Sequence, residues 1–531
     1  GTGSIVNAFN WAKDLGSIYP VYQVDSNGNY VLDANGDRLF DLGEGYSEYG
    51  IQSRPYNPGR HGIAETIFND EQTDINNLGM RLYSEFTIID GLKARLTYGQ
   101  DVQDYINKSY ENAIVGDGAP TGRYGETRFR RTVENFTQLL TYNKSFADVH
   151  NVDLTLGHES FDRHYSENNG LATVQTAEGI YEYDNFSTPV SLGGYSSDKR
   201  IEGYFARLNY NYDNRYYVSG SVRRDGSSVF NSDVRWGSFY SVGASWRIDQ
   251  EKFMDNVDFI NQLKLRASYG EVGNDDLLDY YLSQPRYSLT SNAGDPAIFL
   301  SDIGNSALTW ETIESYDIAL EFGLFNNFLD GSFEYYKKNS SDLLYNLPIP
   351  LSNGLNEVPQ NVGTMYNEGF ELALTANLIR TQNLNWSVTA QASTFKNKIT
   401  DLPSPFVNGS KRWEVGRSRF DFYIYDYAGV DPDNGDALYY MYEGDVNAGE
   451  RVPVLNADGT QATTNDWDEA GRAYVGEQSI PDLIGSIQNR INYKGLALDF
   501  IFTFSQGGKI LDNGYAGLMH TGDYGDAYHP D

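Results

Sequence analysis

The residues that could do chemistry in this chain are mostly carboxylates, and their spacing gives them no catalytic partner. The 531 residues include 73 Asp and Glu, 40 Lys and Arg and six His, but no Cys. Without cysteine, thiolate catalysis, disulfides and cysteine-ligated metals are excluded. No G-x-S-x-G, Walker A, Rossmann or H-E-x-x-H pattern occurs. We therefore predict that the chain is not an enzyme and that it uses no cofactor.

Three histidines and one acidic turn are the candidate metal ligands. His150 and His158 fall on one face of a predicted strand but far apart along it, and His164 lies in the predicted loop beyond. Residues 431–436, DPDNGD, imitate the start of an EF-hand loop but lack the carboxylate at the twelfth position. A hairpin turn on Asn434-Gly435 explains them more simply. We predict no metal site in either place.

The charge balance restricts the possible partners. A net charge of −33 argues against nucleic-acid binding, which needs a basic surface to neutralise phosphates. We expect the excess acid to lie in long loops such as 101–126 and 443–469, where either simple solvation or divalent-cation binding would explain it. The mean hydropathy is −0.53, and no run of 18 apolar residues exists, so a helical membrane protein is excluded.

Strict alternation of apolar and polar residues is the main structural signal. Residues 493–510, YKGLALDFIFTFSQGGKI, place Leu496, Leu498, Phe500, Phe502 and Phe504 on one face and mostly polar residues on the other. Such a strand suits a sheet with lipid on one side and a wet lumen on the other. A soluble β-sandwich would show the same alternation, but it would not need strands this uniform or loops this unequal.

The alternating segments form eight predicted hairpins, or about sixteen strands. Tight links such as Asn434-Gly435 and Lys494-Gly495 join the two strands of most hairpins, and much longer links join one hairpin to the next. This describes a membrane barrel with short periplasmic turns and long extracellular loops. One short-side link, 248–262, is longer and could hold a short helix. The predicted hairpins are 80–89 with 92–98, 136–146 with 150–159, 203–212 with 216–224, 239–246 with 263–270, 311–322 with 329–337, 368–379 with 384–393, 422–430 with 437–442, and 484–493 with 496–504.

Aromatic residues are the candidate ligand contacts. The chain has 42 Tyr, 27 Phe and 7 Trp, and sugars stack their apolar faces on such rings. The cluster Trp413, Phe422, Tyr423 and Tyr425 is the predicted substrate-binding site. The alternative is that strand propensity and the aromatic girdles of a membrane barrel account for most of these rings.

Several segments together resemble one known family. The segments are SGSVRRDGSSVF at 219–230, WGSFYSVGASWRI at 236–248, LKLRASYGEVGN at 263–274, LTWETIESYDIALEF at 308–322 and NVGTMYNEGFEL at 361–372. They resemble barrel segments of the SusC/RagA-like TonB-dependent transporters, in family order. Residues 415–436 are similar to the family's G-x-x-x-x-x-F-Y-x-Y segment, although Ile424 stands where glycine is usual.

The resemblance implies a 22-stranded barrel in the bacterial outer membrane. An N-terminal plug would fill it, a SusD-like surface lipoprotein would cover it, and the TonB-ExbB-ExbD complex would drive uptake of a glycan or peptide through it. On this view residues 1–531 are a partial barrel surrounded by outer-membrane lipid, and the plug and the last strand or strands lie outside them. Two alternatives remain: a related importer of a metal chelate or cofactor, and a structural or docking subunit of a secretion or motility assembly.

Overall fold

One antiparallel sheet, called the wall below, dominates the structure. The computed structural model describes residues 19–45, 52–54, 57–276, 279–355, 357–444 and 451–516. Within them, fourteen strands each pair with the next along the chain. These strands are β1 Asp70–Ile89, β2 Leu92–Glu111, β3 Arg123–Phe146, β4 His150–Gln175, β5 Phe186–Tyr212, β6 Tyr216–Ser227, β7 Trp236–Arg247, β8 Ile260–Asn274, β9 Glu311–Leu324, β10 Leu329–Ser341, β11 Thr364–Arg380, β12 Leu384–Thr394, β13 Pro481–Tyr493 and β14 Leu496–Gly507. A fifteenth strand, Lys396–Asp401, pairs with the first residues of β11.

Seven of the eight predicted hairpins are confirmed, and their links are short as expected. Asp213 and Asn214 in one link, and Lys494 and Gly495 in another, have positive φ, as tight hairpin turns require. The longer short-side link between β7 and β8 contains two 3-10 helices, Ile248–Gln250 and Lys252–Met254.

The eighth predicted hairpin, 422–430 with 437–442, is wrong as a pair of wall strands. Its segments form strands of four residues in two small sheets inside the long link between β12 and β13. A strand needs about 9–11 residues to cross a membrane, so these are too short. The turn at Asn434-Gly435 therefore lies on the long-link side and not on the periplasmic side.

Strands β3, β4 and β5 are much longer than the roughly ten residues predicted for each strand. They contain 24, 26 and 27 residues, which at about 3.3 Å per residue is more than twice what a membrane needs. The wall therefore continues beyond the lipid on the long-link side. For the same reason residues 101–126 are not a loop, because β2 and β3 leave only residues 112–122 between them.

The pairing register places apolar residues on one face of the wall and polar residues on the other, from strand to strand. Leu140, Leu156, Ala206 and Val222 are directly paired from β3 to β6 and form an apolar row. Residues one position away along each strand point to the opposite, polar face. We call the apolar side the outer face and the polar side the inner face.

Small sheets and short helices occupy the long links. The strands are Arg286–Asn292 with Asp295–Asp302; Leu344–Pro348 with Glu357–Asn361; Phe406–Asn408, Lys411–Trp413, Asp421–Ile424 and Ala473–Gln478; Tyr427–Val430, Ala437–Tyr440 and Thr463–Thr464; and Tyr442–Glu443 with Val452–Pro453. The remaining helices are Tyr183–Asn185, Leu351–Asn353 and Trp467–Ala470 in links, Gly62–Phe68 before β1 and Asn513–Ala516 after β14. Among the described residues, no helix combines the length and apolarity needed to cross a membrane.

The buried apolar core lies among the long links. One cluster joins the links after β6 and β8 to β7, and its members are Val229, Phe230, Phe239, Leu282, Leu308 and Trp310. Trp310 also donates from Nε1 to the carbonyl oxygen of Arg235 at 2.8 Å. The long links thus pack on one another and form an ordered rim above the wall.

Candidate functional site

Charged residues on the inner face are paired across strands. Arg266 of β8 donates from Nε to Glu321 Oε1 of β9 at 3.0 Å and also bonds Glu334 of β10. Lys264 Nζ lies 3.5 Å from Glu321 Oε2. These groups are about one-third exposed or less. The inner face therefore presents matched charges to solvent, as the wall of a water-filled passage should.

A second group of charges lies higher on the same face. Arg223 donates to Asp225 at 2.7 Å and to Glu159 at 3.0 Å, which connects β6 to β4. Lys199 of β5 bonds Asp275 of the long link after β8 at 3.0 Å. Each of these cations has a carboxylate partner. The arrangement can bind and orient polar solutes.

The inner face is also concave enough to hold solutes near the short links. A cavity of about 730 Å³ is lined by residues of β3 to β8, among them Asn151, Asp153, Asn209, Asn211, Lys264 and Arg266. The lining contains several amides and cations and one carboxylate, Asp153. Its chemistry suits hydrated polar groups.

The long link between β12 and β13 folds against the inner face. Arg419 and Phe420 of this link enclose a cavity of about 480 Å³ with Asp317, Glu334 and Glu371 of the wall. The backbone N–H of Arg419 donates to Asn397 Oδ1 at 2.9 Å, and Asn397 lies in the fifteenth strand, whose pairing with β11 holds this part of the link against the wall. The link therefore narrows the space in front of the inner face.

The predicted site residue Trp413 lies in the interior of this rim. Its side chain is 6 % exposed. The ring centroids of Tyr345 and Phe406 lie 5.1 and 5.4 Å from the indole, and the guanidinium carbon of Arg419 lies 4.7 Å from it. Because Tyr345 belongs to the link between β10 and β11, Trp413 joins two neighbouring links.

Phe422 and Tyr423 are also buried, and Tyr425 is partly exposed. Lys411 Nζ lies 3.1 Å from the ring centroid of Phe422, and Tyr423 is 1 % exposed. Trp413, Phe422 and Tyr423 share one four-stranded sheet, whereas Tyr425 packs against Trp467 at 5.0 Å in the adjoining region. Ligand contact by these four residues remains a prediction.

Burial also affects the charged residues of that sheet. Desolvation lowers the pKa of Lys411, although the nearby Asp421 carboxylate opposes that shift. Desolvation raises the pKa of Asp421, against hydrogen bonding by the Ser418 N–H. The sheet is thus a packed and partly dry unit.

The three histidines considered from sequence are separate from one another. His150 Nδ1 lies 2.7 Å from the Tyr210 hydroxyl, His158 Nε2 lies 3.2 Å from Glu202, and His164 Nδ1 lies 2.8 Å from Asp198. Throughout the described ranges, no three His, Asp or Glu side chains are grouped as a metal ion would require.

Sequence reasoning missed a row of rings on the inner face. Tyr105, Phe129, Tyr165 and Tyr195 come from β2, β3, β4 and β5, and successive centroids are 4.6, 5.2 and 5.6 Å apart. Continued alternation through residues 101–111 was the available signal. It was overlooked because that segment was interpreted as a loop.

Comparisons with known proteins agree with this architecture. A family model described as TonB dependent receptor-like, beta-barrel matches residues 10–479. TonB-dependent receptor P3 of Formosa agariphila is 28% identical over 96% of this chain and 50% of its own length. TonB-dependent receptor SusC of Bacteroides thetaiotaomicron is 27% identical over 59% of this chain and 31% of its own length.

A solved structure has a similar fold. The RagAB peptide transporter superposes with a TM-score of 0.79 at 24% identity, over 91% of this chain and 52% of that chain. The chain spans about half the length, or less, of the curated relatives it matches.

Proposed function

Because this chain belongs to the TonB-dependent receptor β-barrel family of the bacterial outer membrane, we propose that the whole protein imports a large nutrient with energy supplied through TonB. The wall supports this proposal most directly. Its outer face is an apolar row in register, and its inner face has the paired charges of Arg266, Glu321 and Glu334. This combination lets a polar solute pass through a lipid layer.

The proposed assembly extends beyond this chain. We assign residues 1–531 to part of a 22-stranded barrel that includes the wall, and its plug and remaining strands belong to the rest of the whole protein. The TonB-ExbB-ExbD complex would act through the N-terminal region of that protein. A SusD-like lipoprotein would cover the rim, where bonded links offer a firm support: Asn361 accepts from Thr309 N–H at 2.9 Å and donates to its carbonyl oxygen at 2.8 Å.

We propose a glycan or oligosaccharide as the cargo, with a peptide as the alternative. The matched charges and the amide-rich cavity on the inner face favour a polar, largely uncharged solute. The RagAB structure is titled as a peptide transporter, and that likeness is the support for the alternative.

Uptake in the native host tests the proposal. A strain without the gene should fail to take up at least one labelled oligosaccharide or peptide pool that the parent strain imports. The full-length gene should restore uptake, and the same gene without its TonB-interacting segment should not. Undiminished uptake of every pool in the deletion strain would contradict import, and restoration by both genes would contradict TonB coupling.

A further inference from the structure

Four aromatic rings form a continuous row on the inner face of β2 to β5. Tyr105 is paired directly with Phe129, and their rings are parallel within 11° at 4.6 Å. Tyr165 lies 5.2 Å from Phe129 and 5.6 Å from Tyr195. The row crosses four neighbouring strands, so at about 4.8 Å per strand it extends about 15 Å along the wall. We call these four residues the ring row.

The ring row stands outside the lipid layer. At the same height, the outer face has Asp104 and Arg130, whose side chains bond each other at 2.6 and 2.9 Å. Charges facing hydrocarbon at mid-depth would cost about 2–4 kcal/mol each, so this part of the wall faces water on both sides. The ring row therefore lines the extracellular vestibule, where an incoming solute arrives first.

Neutral polar side chains flank the rings above and below. Paired positions of the next inner-face row hold Thr73, Asn107, Thr127 and Asn169. The row on the other side includes Asn77, Gln103 and Ser197, which occupy equivalent inner-face positions. Arg131 lies between Gln103 and Tyr165 in this second row, so the surface combines aromatic rings with amide and hydroxyl groups and one guanidinium.

The carboxylate within the ring row is already bonded. Glu167 accepts from the Tyr165 hydroxyl, and from Asn169 Nδ2 at 3.2 Å. Arg131, on the inner face opposite Tyr165, interacts electrostatically with Asp101. Both donors to Glu167 are neutral, so Glu167 keeps its negative charge, and Arg131 on the neighbouring strand has the opposite charge; Asp101 is itself bonded to Arg81 at 2.5 Å. Glu167 and Arg131 thus offset each other in net charge, and the other groups of the surface suit a ligand with many hydroxyls and apolar C–H groups.

We propose that the ring row is a binding site for a neutral oligosaccharide in the vestibule. Its sugar rings would pack their C–H groups against the solvent-facing edges of the stacked rings and against Tyr195, which is 58% exposed, while their hydroxyls bond the flanking amides and hydroxyls. This inference rests on the proposed function and narrows its cargo. A row of several rings favours a chain of sugars over a single one, because each ring adds to the length of the apolar contact surface.

Binding to the purified full-length protein in detergent tests the inference. The probes are maltoheptaose, laminarihexaose, xylohexaose and a fructo-oligosaccharide, each measured by titration calorimetry, with a mixed peptide pool as the comparison. At least one oligosaccharide should bind. Phe129→Leu and Tyr195→Leu should each weaken that binding by up to about tenfold, the effect of losing one ring contact.

Matched variants separate ring chemistry from folding. Tyr195 is 58% exposed, so its replacement leaves the packing of the wall intact. Phe129→Tyr keeps a ring and should preserve affinity. Tyr83→Leu removes an inner-face ring of β1 that lies nearer the short link and is 69% exposed, and it should also leave affinity unchanged.

The possible results are distinct from those of the import test. If no oligosaccharide of the panel binds, or if the Leu variants at 129 and 195 bind as the wild type does, the inference is wrong. Binding of the peptide pool alone would also overturn it, yet would leave import standing. Sugar binding that depends on the ring row in a protein that imports nothing would keep the inference and overturn the proposed function.

Discussion

Phe504 of β14 lies across Gly485 of β13, with its ring where a side chain at position 485 would stand. A Cβ at that position would also come within 2.6 Å of the Gln391 carbonyl oxygen on β12. Because a backbone atom cannot move aside cheaply, we expect Gly485→Ala to destabilise the wall by about 1–3 kcal/mol. The measurement is the urea midpoint of the assembled full-length protein.

Gly220 provides the matched control for that change. It also lies on the outer face, but a Cβ there would meet nothing nearer than the Ser241 carbonyl oxygen at 3.7 Å. Gly220→Ala should therefore leave the midpoint unchanged. Equal urea midpoints for both variants would contradict the prediction, because they would show that the neighbours of Gly485 can move aside without loss of stability.

Phe500 and Asp499 test the two faces of β14. Phe500→Arg would put a charge into hydrocarbon and should lower the amount of assembled barrel, at a cost of about 2–4 kcal/mol. Asp499→Asn should be milder, since that carboxylate faces the inner side and bonds the exposed Arg490 at 2.9 Å. A cysteine at position 500 should react with a lipid-soluble probe and resist a water-soluble one. Equal labelling by both probes would mean that this side of β14 faces water.

His61 should make the segment before β1 sensitive to pH. It caps the helix Gly62–Phe68 by accepting the Ala64 N–H on Nδ1 at 3.1 Å, while Nε2 lies 3.1 Å from the Val21 carbonyl oxygen. The Val21 carbonyl needs an N–H donor, so the proton of the ring is on Nε2. Because Nδ1 accepts the Ala64 N–H, it has no proton, and the ring is neutral. Protonation of Nδ1 would abolish the cap.

The direction of that pH effect follows from the pKa. Burial lowers the pKa of His61, against the opposing hydrogen bond to Val21. Since the unfolded segment then binds the proton more readily, stability is full above the usual value of about 6.5 and falls as the pH drops below it. At pH 5.5 the Ala64 amide should lose about fivefold in exchange protection, corrected for intrinsic rate. His61→Asn caps without titrating and should show no such loss.

Trp413 should stabilise the rim whether or not it touches a ligand. Trp413→Ala removes the contacts with Tyr345 and Phe406, and a buried Trp→Ala change costs about 3–5 kcal/mol. We expect faster protease cleavage in the links 342–363 and 395–480 of the full-length protein. Val415→Ala is the control, since that side chain is 52% exposed. Unchanged cleavage in Trp413→Ala would mean that the links are held by other contacts.

The wall could be predicted from sequence because two local rules determine it. Alternation assigns Phe500 and Asp499 to opposite faces, and turn residues such as Lys494-Gly495 mark where strands reverse. The same rules misplaced residues 422–442, whose short Tyr-rich strands alternate just as wall strands do. They also hid the length of β2, because beyond the lipid the outer face becomes polar at Gln100 and Asp104, and no apolar face remains to be recognised.

The candidate sites were harder to predict because they depend on contacts between distant strands. The cluster around Trp413 could be named as aromatic, but its burial comes from Tyr345 in another link. The stacking of Tyr105 on Phe129 needs the register of β2 with β3, which is set by a long hairpin and not by either strand alone. The sequence shows that these aromatic residues are present, but only the pairing of the strands shows that they form a row.

The long link between β12 and β13 has a consequence for the rate at which the wall forms. Most neighbouring strands of the wall are joined by links of two to twelve residues, so their pairing is a local event. β12 and β13 must pair across residues 395–480. Each doubling of a loop's length adds about 0.6 kcal/mol to the entropic cost of closing the loop. We therefore expect β12 and β13 to pair late in folding. Once the small sheets within the link have formed, less flexible chain separates β12 from β13. Folding of the rim should therefore limit the rate at which the wall is completed.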